Sequence, residues 1–247
     1  MLNLTIVLIS HQTPAEVEAM CGMWQTLEPE ATLFVAYGGT EENFARLDRP
    51  NRVYVADPRL RTRDHQRERQ SYRGVMQTVV ESLQDRAVDR ILMVECDVVP
   101  LKPGLSAWLA QREQEENADV LAARLRRIDG TSHPHYLAHQ THPGFEQWLG
   151  ASVREDPSVV MMMMGCLTWW KWTAYKATAA APEPMPVYLE LAMATTPHLL
   201  GFRVRDLPGL FDDLEPAGDF TPLLAARRAA GRRVLHPCKT VWKLPAP

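Results

Sequence analysis

Residues 91–104 read ILMVECDVVPLKPG. Four apolar residues run into Glu95, Cys96 and Asp97, and two valines and a proline follow. A short apolar run bounded by such signals fits a strand buried on both faces. In an extended chain residues i and i+2 point the same way, so Glu95 and Asp97 reach toward one point while Cys96 faces elsewhere. Two readings stand for the pair. The carboxylates solvate a strand end or hold a lysine, or they converge on a hard cation, Mn²⁺ or Mg²⁺, which in turn holds a diphosphate.

The neighbourhood of that strand predicts an α/β fold. Leu4 to Ile9 is a β-rich run, and after it Thr13, Pro14 and Glu16 form the cap, first position and capping box of a helix with its apolar stripe on Val17, Met20, Trp24 and Leu27. Thr32 to Tyr37 and Arg52 to Ala56 are further strands. Tyr72, Val75, Met76, Val79, Val80 and Leu83 give the strongest helical periodicity in the chain, with Gly74 inside it. Strands apolar on both faces that alternate with amphipathic helices predict a mostly parallel sheet covered by helices.

Past residue 100 the spacing predicts a helix over Leu105–Glu116 and strands over Val120–Ala123 and Val159–Met164. Residues 127–157, rich in His, Pro, Gly and Asp, read as a long irregular loop. Trp169–Ala181 and Val187–Thr195 read as helices, Thr196-Pro197 as the start of another, and Pro222–Ala230 as a helix between short strands at Phe202–Val204 and Arg233–Leu235. No internal repeat or linker divides the chain, so one domain with an embellished C-terminal half is expected.

Composition narrows the function classes. The chain has 247 residues, 46% apolar and 23% charged, with a net charge of −3, which gives nucleic acid or an anionic membrane no electrostatic hold. No apolar run is long enough to span a bilayer, and the first ten residues read as a strand rather than a signal peptide. Four scattered cysteines suggest reduced thiols and a cytoplasmic protein.

Three motifs occur in order: Glu95-x-Asp97, an acid at Glu190 followed by the Gly201-Phe202-Arg203-Val204 strand, and His236-x-x-Lys239. This series resembles the GT-A family of nucleotide-sugar-dependent glycosyltransferases. The resemblance implies a GT-A-like fold as a single domain over residues 1–247, with 1–100 as the nucleotide-binding half and 101–247 as the acceptor half and C-terminal metal-site segment. It implies a metal-dependent transferase moving a sugar from a nucleotide-diphosphate donor to an acceptor hydroxyl, with Mn²⁺ or Mg²⁺ as cofactor. Asp97 and His236 are then the metal ligands, and Lys239 meets the donor phosphates. Glu95 contacts ribose or metal, although aspartate is usual in the family at that position. Glu190 becomes the general base if the enzyme inverts.

In such folds the nucleoside lies over the first and third strands, which makes Ser10, His11 and Asp57 its expected contacts. Arg63 and Gln70 are expected on the donor, chosen from a stretch that also carries Arg61, Arg67 and Arg69. Trp169, Trp170 and Trp172 stack on an acceptor sugar or pack the core. His133, His135, His139 and His142 either line a loop or hold a transition metal, although their spacing fits no compact zinc motif. Two other readings remain: a sugar-phosphate nucleotidyltransferase, which lacks its Gly-rich loop here, and a non-catalytic binder of carbohydrate or nucleotide. No G-x-G-x-x-G follows any strand, which excludes a dinucleotide or methyl-donor enzyme of the usual kind.

Overall fold

In the computed structural model the apolar runs form the middle of a seven-stranded sheet; residues 2–56, 72–151, 155–215 and 217–240 are described. The sheet takes in β1 (Leu4–Ser10), β2 (Thr32–Tyr37), β3 (Arg52–Tyr54) and β4 (Arg90–Glu95). A short β5 (Val99–Pro100) then lies outside it, and β6 (Val120–Ala122) returns to it. The fold is α/β, and the sheet is mostly parallel: β1 pairs with β2 and β4, and β2 with β3, all in parallel register.

Alternation along each strand explains why these runs are apolar throughout. Leu4, Ile6, Leu8, Leu92 and Val94 enter one core cluster, while Val7, Ile9, Ile91 and Met93 enter another on the opposite face. α1 (Pro14–Leu27) packs on the first face, with the Thr13–Glu16 capping box formed as its residues predict. α3 (Arg73–Leu83), which follows the short α2 (Glu41–Ala45), packs on the second with Val75, Met76, Val79 and Leu83 buried. Gly74 falls in the first turn of α3 and not in mid-helix.

The later half departs from expectation at several points. After α4 (Leu105–Glu115) and β6 come a two-residue β7 (Arg126–Arg127) and two short helices, α5 (Pro134–His139) and α6 (Pro143–Gly150), where a loop was expected. Pro134 and Pro143 each occupy a first helical position, where a missing N–H costs nothing. The VVMMMM run supplies only β8 (Met161–Met162), paired with β7.

Trp169 and Trp170 are not helical. They lie in β9 (Leu167–Lys171), which runs antiparallel between β4 and β6 at the centre of the sheet. Trp169 fills the first core and Trp170 the second, so neither meets a sugar. Trp172 opens α7 (Trp172–Ala180), stacked on Tyr175 with Lys176 over its ring. The expected break at Thr196-Pro197 is absent: α8 (Leu189–Leu199) runs through Pro197. β10 (Val204–Asp206) closes one edge of the sheet beside β6, and α9 (Leu224–Ala229) and β11 (Val234–Leu235) follow.

Two buried polar clusters tie these layers. Glu113 accepts two hydrogen bonds from Arg90, at 2.6 and 2.7 Å, and one from the Trp169 indole at 2.7 Å. Glu28, just after α1, accepts the Leu105 and Ser106 amides at 2.6 and 3.3 Å and so caps α4 from a distant part of the chain. A third, smaller core lies under α5 and α6, where Phe145, Trp148 and Leu149 meet Met185, Val187 and Leu191.

Candidate active site

β4 ends at Glu95, and the chain turns there, the Val98 amide bonding the Glu95 carbonyl at 3.1 Å. β5 follows at once and pairs antiparallel with β11, Leu235 opposite Val99. That pairing delivers His236 to the end of β4 from far along the chain. The Cys238 amide bonds the Asp97 carbonyl at 2.9 Å, and the His236 amide bonds the Asp213 carbonyl at 3.1 Å. Glu95, Asp97 and His236 each bring one ligand atom into a group within 4.8 Å, and they form the only such group of three among the described residues.

The donor set suits a divalent cation. Two carboxylates and an imidazole match the ligand preferences of Mn²⁺, and the carboxylates alone those of Mg²⁺. His236 is buried, its Nε2 lies 3.5 Å from Asp97 Oδ1, and its Nδ1 makes no hydrogen bond within the protein. Burial lowers the His236 pKa against the opposing pull of Asp97, favouring the neutral imidazole that a metal needs. Glu95 shifts the other way: burial, then the charge of Asp97, raise its carboxyl. A hydrogen bond from the Tyr72 hydroxyl at 2.6 Å offsets part of that rise.

Lys239, its side chain more than half exposed, turns its ammonium back to donate to Asp97 Oδ2. Burial works against its ammonium, but the bond to Asp97 and that residue's charge outweigh it and hold the lysine pKa above its usual range. Asp219 latches the segment, accepting the Lys239 amide at 2.9 Å, the Thr240 hydroxyl at 3.0 Å and the Thr221 hydroxyl at 2.6 Å.

Glu190 is the second residue of α8, and its charge is felt at Glu95. Burial raises its carboxyl to about 7, opposed by the Gly165 amide and by Arg126 and Arg124. A Cβ on Gly165 would lie 2.4 Å from Leu189 Cδ1, so the glycine lets the start of α8 close on this end of the sheet. Ser10 ends β1 one residue past Ile9, the partner of Glu95, and its buried hydroxyl accepts the Gln12 amide at 3.2 Å. His11 is exposed just beyond.

Asp57, Arg63 and Gln70, with Arg61, Arg67 and Arg69, lie outside the described residues. Cys96 and Cys238 are buried in the first core, with burial pushing each thiol up to about 12, and are packing residues. The four loop histidines bring no three ligand atoms into one group. His139 is buried and accepts the Tyr188 amide at 3.2 Å, while His142 caps α6. Sequence reasoning missed Tyr72 as a partner of Glu95, since its place in an apolar helical stripe concealed the hydroxyl's use.

No protein-family model matches the chain, and no curated protein matches it. Among solved structures, the WbbM bifunctional glycosyltransferase aligns over 95% of this chain and 45% of its own, with 12% identity and a TM-score of 0.47. The chain thus spans under half the length of that protein. The galactosyltransferase LgtC, solved with donor and acceptor sugar analogues, aligns over 98% of this chain and 84% of its own at 13% identity and a TM-score of 0.46. Mouse xyloside xylosyltransferase 1 aligns over 95% and 96%, with 12% identity and a TM-score of 0.45. The chain is similar to these solved glycosyltransferases.

Proposed function

We propose that the chain is a metal-dependent glycosyltransferase that moves a sugar from a nucleotide-diphosphate donor to an acceptor hydroxyl. The observation that carries this reading is the convergence of Glu95, Asp97 and His236 at the carboxyl end of β4, with Lys239 on Asp97. Ligands of open α/β sheets bind at that end. Asp97, His236 and Glu95 would hold Mn²⁺ or Mg²⁺, which when bound supplies positive charge against the leaving diphosphate. Lys239, detached from Asp97, lends its ammonium to the same phosphates. If the reaction inverts, Glu190, raised to about 7 by burial, takes the proton of the acceptor hydroxyl as that oxygen attacks the anomeric carbon. Ser10 and His11, at the end of β1, would meet the nucleoside, with Asp57, Arg63 and Gln70 as further donor contacts.

In this reading residues 1–247 act as one domain, 1–100 binding the donor and 101–247 the carbohydrate acceptor. Among the described residues no helix is long and apolar enough to cross a membrane, and all four cysteines are free and buried. Unpaired thiols support a cytoplasmic location.

The test is a thermal-shift panel of UDP-, GDP-, CMP- and dTDP-sugars with Mn²⁺, Mg²⁺ or EDTA. A donor at about 100 times its Kd stabilises by about 2.7 kcal/mol, or about 5–10 °C for a chain of this size. The expected result is such a shift for one nucleotide family, lost in EDTA, followed by release of the nucleoside diphosphate on adding acceptor. Stabilisation by none of them under any metal condition refutes the reading.

A further inference from the structure

One group beside Glu190 has no part in the chemistry above. His135, in α5, places Nε2 3.9 Å from Glu190 Oε2; its side chain is 30% exposed, against 19% for Glu190. The imidazole is thus somewhat more open to water than the carboxylate it faces. Its ring is stacked on Tyr188, centroids 3.9 Å apart and planes 24° from parallel, and the His133 ring lies 5.2 Å away. α5 is tied to the start of α8 because the Tyr188 amide donates to His139. The separation from Glu190 exceeds a hydrogen bond by about 1 Å, and catalytic hydrogen bonds are often long before substrate binds and tighten once it is in place.

We propose that His135 is the positioning residue of Glu190, turning the carboxylate toward the acceptor and leading its proton to solvent. The inference rests on the transferase reading of Glu190. In the step it serves, the acceptor O–H bond breaks while its oxygen bonds the anomeric carbon. The bond from that carbon to the diphosphate breaks, and its electrons leave with the diphosphate. The proton goes to Glu190, then to His135 Nε2, and the imidazolium loses a proton to water. Burial raises Glu190 to about 7, so it can give up the proton it takes near neutral pH. Among the described residues, charges that face the pair include Arg124, Arg126 and Glu95, with His133 beside His135.

The experiment follows imidazole ¹⁵N signals of the full chain against pH, with His135 assigned by its loss in His135→Gln. Removing the carboxylate charge in Glu190→Gln should lower the His135 midpoint by about one pH unit, while Glu190→Asp keeps most of it. An unchanged midpoint in a folded Glu190→Gln protein overturns the proposal. With the donor found by the nucleotide-sugar panel, His135→Gln should leave KM within about twofold and cut kcat by about 100-fold. It should also displace the acid limb of the pH profile, and added imidazole should restore part of the rate. A displaced limb with rescue supports the relay, and an unmoved profile overturns it. A wild-type chain that turns over no donor fails the transferase reading. An active wild type with unlinked Glu190 and His135 fails this inference alone.

Discussion

Replacing Glu113 with alanine removes one carboxylate that holds three structural layers together. Glu113 sits on α4, Arg90 begins β4, and Trp169 lies in the antiparallel β9 between β4 and β6. The pair is largely enclosed, with 8% of the Glu113 side chain and 22% of the Arg90 side chain exposed. Truncating one partner of a buried ion pair costs about 3–5 kcal/mol, because the other charge stays behind unpaired. The Trp169 indole loses its acceptor inside a fully buried site, and a stranded donor alone costs about 1–3 kcal/mol. These losses overlap, so about 3–5 kcal/mol is the expected total, or a fall in Tm of about 6–20 °C. Glu113→Gln keeps an acceptor for the indole and should lose roughly half as much. Thermal unfolding followed by far-UV circular dichroism measures both variants. A fall of 2 °C or less in Glu113→Ala would show that Arg90 and the indole find water, refuting the idea of a dry network.

The remaining predictions concern the site and one distant cap. Asp97→Ala and His236→Ala should each abolish the Mn²⁺-dependent thermal shift while circular dichroism stays unchanged; a shift that survives in both removes the proposed cation site. Glu190→Gln tests the raised carboxyl. A folded-state pKa of about 7, above the unfolded value, makes Glu190 cost stability as pH rises from about 4.5 to 7. The glutamine variant should therefore gain on wild type between pH 5 and pH 8, by up to about 3 kcal/mol, and parallel stability curves would contradict this. Glu28→Ala uncaps α4 and should cost about 1–2 kcal/mol in chemical denaturation; no loss would mean that water caps the helix equally well.

How far sequence reaches into this fold depends on where each segment's partners lie. β1, β2 and β4 declare themselves because they are apolar on both faces, and α3 because its stripe has a helical period. β9 does not. Leu167-Thr168-Trp169-Trp170-Lys171 leads directly into the helical Trp172–Ala180, and an aromatic pair buried on opposite faces has no helical or strand period of its own. α5 and α6 had usable signals in Pro134 and Pro143, outweighed by the surrounding histidines and glycines. At the site, the convergence of Glu95 and Asp97 was expected from extended geometry, but a turn past the end of β4 brings them together; the three-residue offset of His236 and Lys239 was legible from spacing. The contacts of Tyr72 with Glu95 and of His135 with Glu190 join segments far apart in the chain, and no local pattern encodes them.

Lys239 on Asp97 gives the order of ligand arrival a thermodynamic meaning. An ammonium already neutralising that carboxylate competes with any metal ion that comes to it, so a cation alone binds against a resident rival. Under the proposed function the displaced ammonium gains a better partner only when the donor phosphates arrive. Metal and donor then bind more tightly together than either binds alone, and each raises the other's affinity by the same factor. The lysine thus acts as a coincidence detector, protecting the site from spurious ions and reserving its full charge for a complete substrate. In Lys239→Ala, calorimetry should find Mn²⁺ alone binding more tightly and the joint advantage gone. A cation affinity that does not rise would mean that the ammonium never stood in the way.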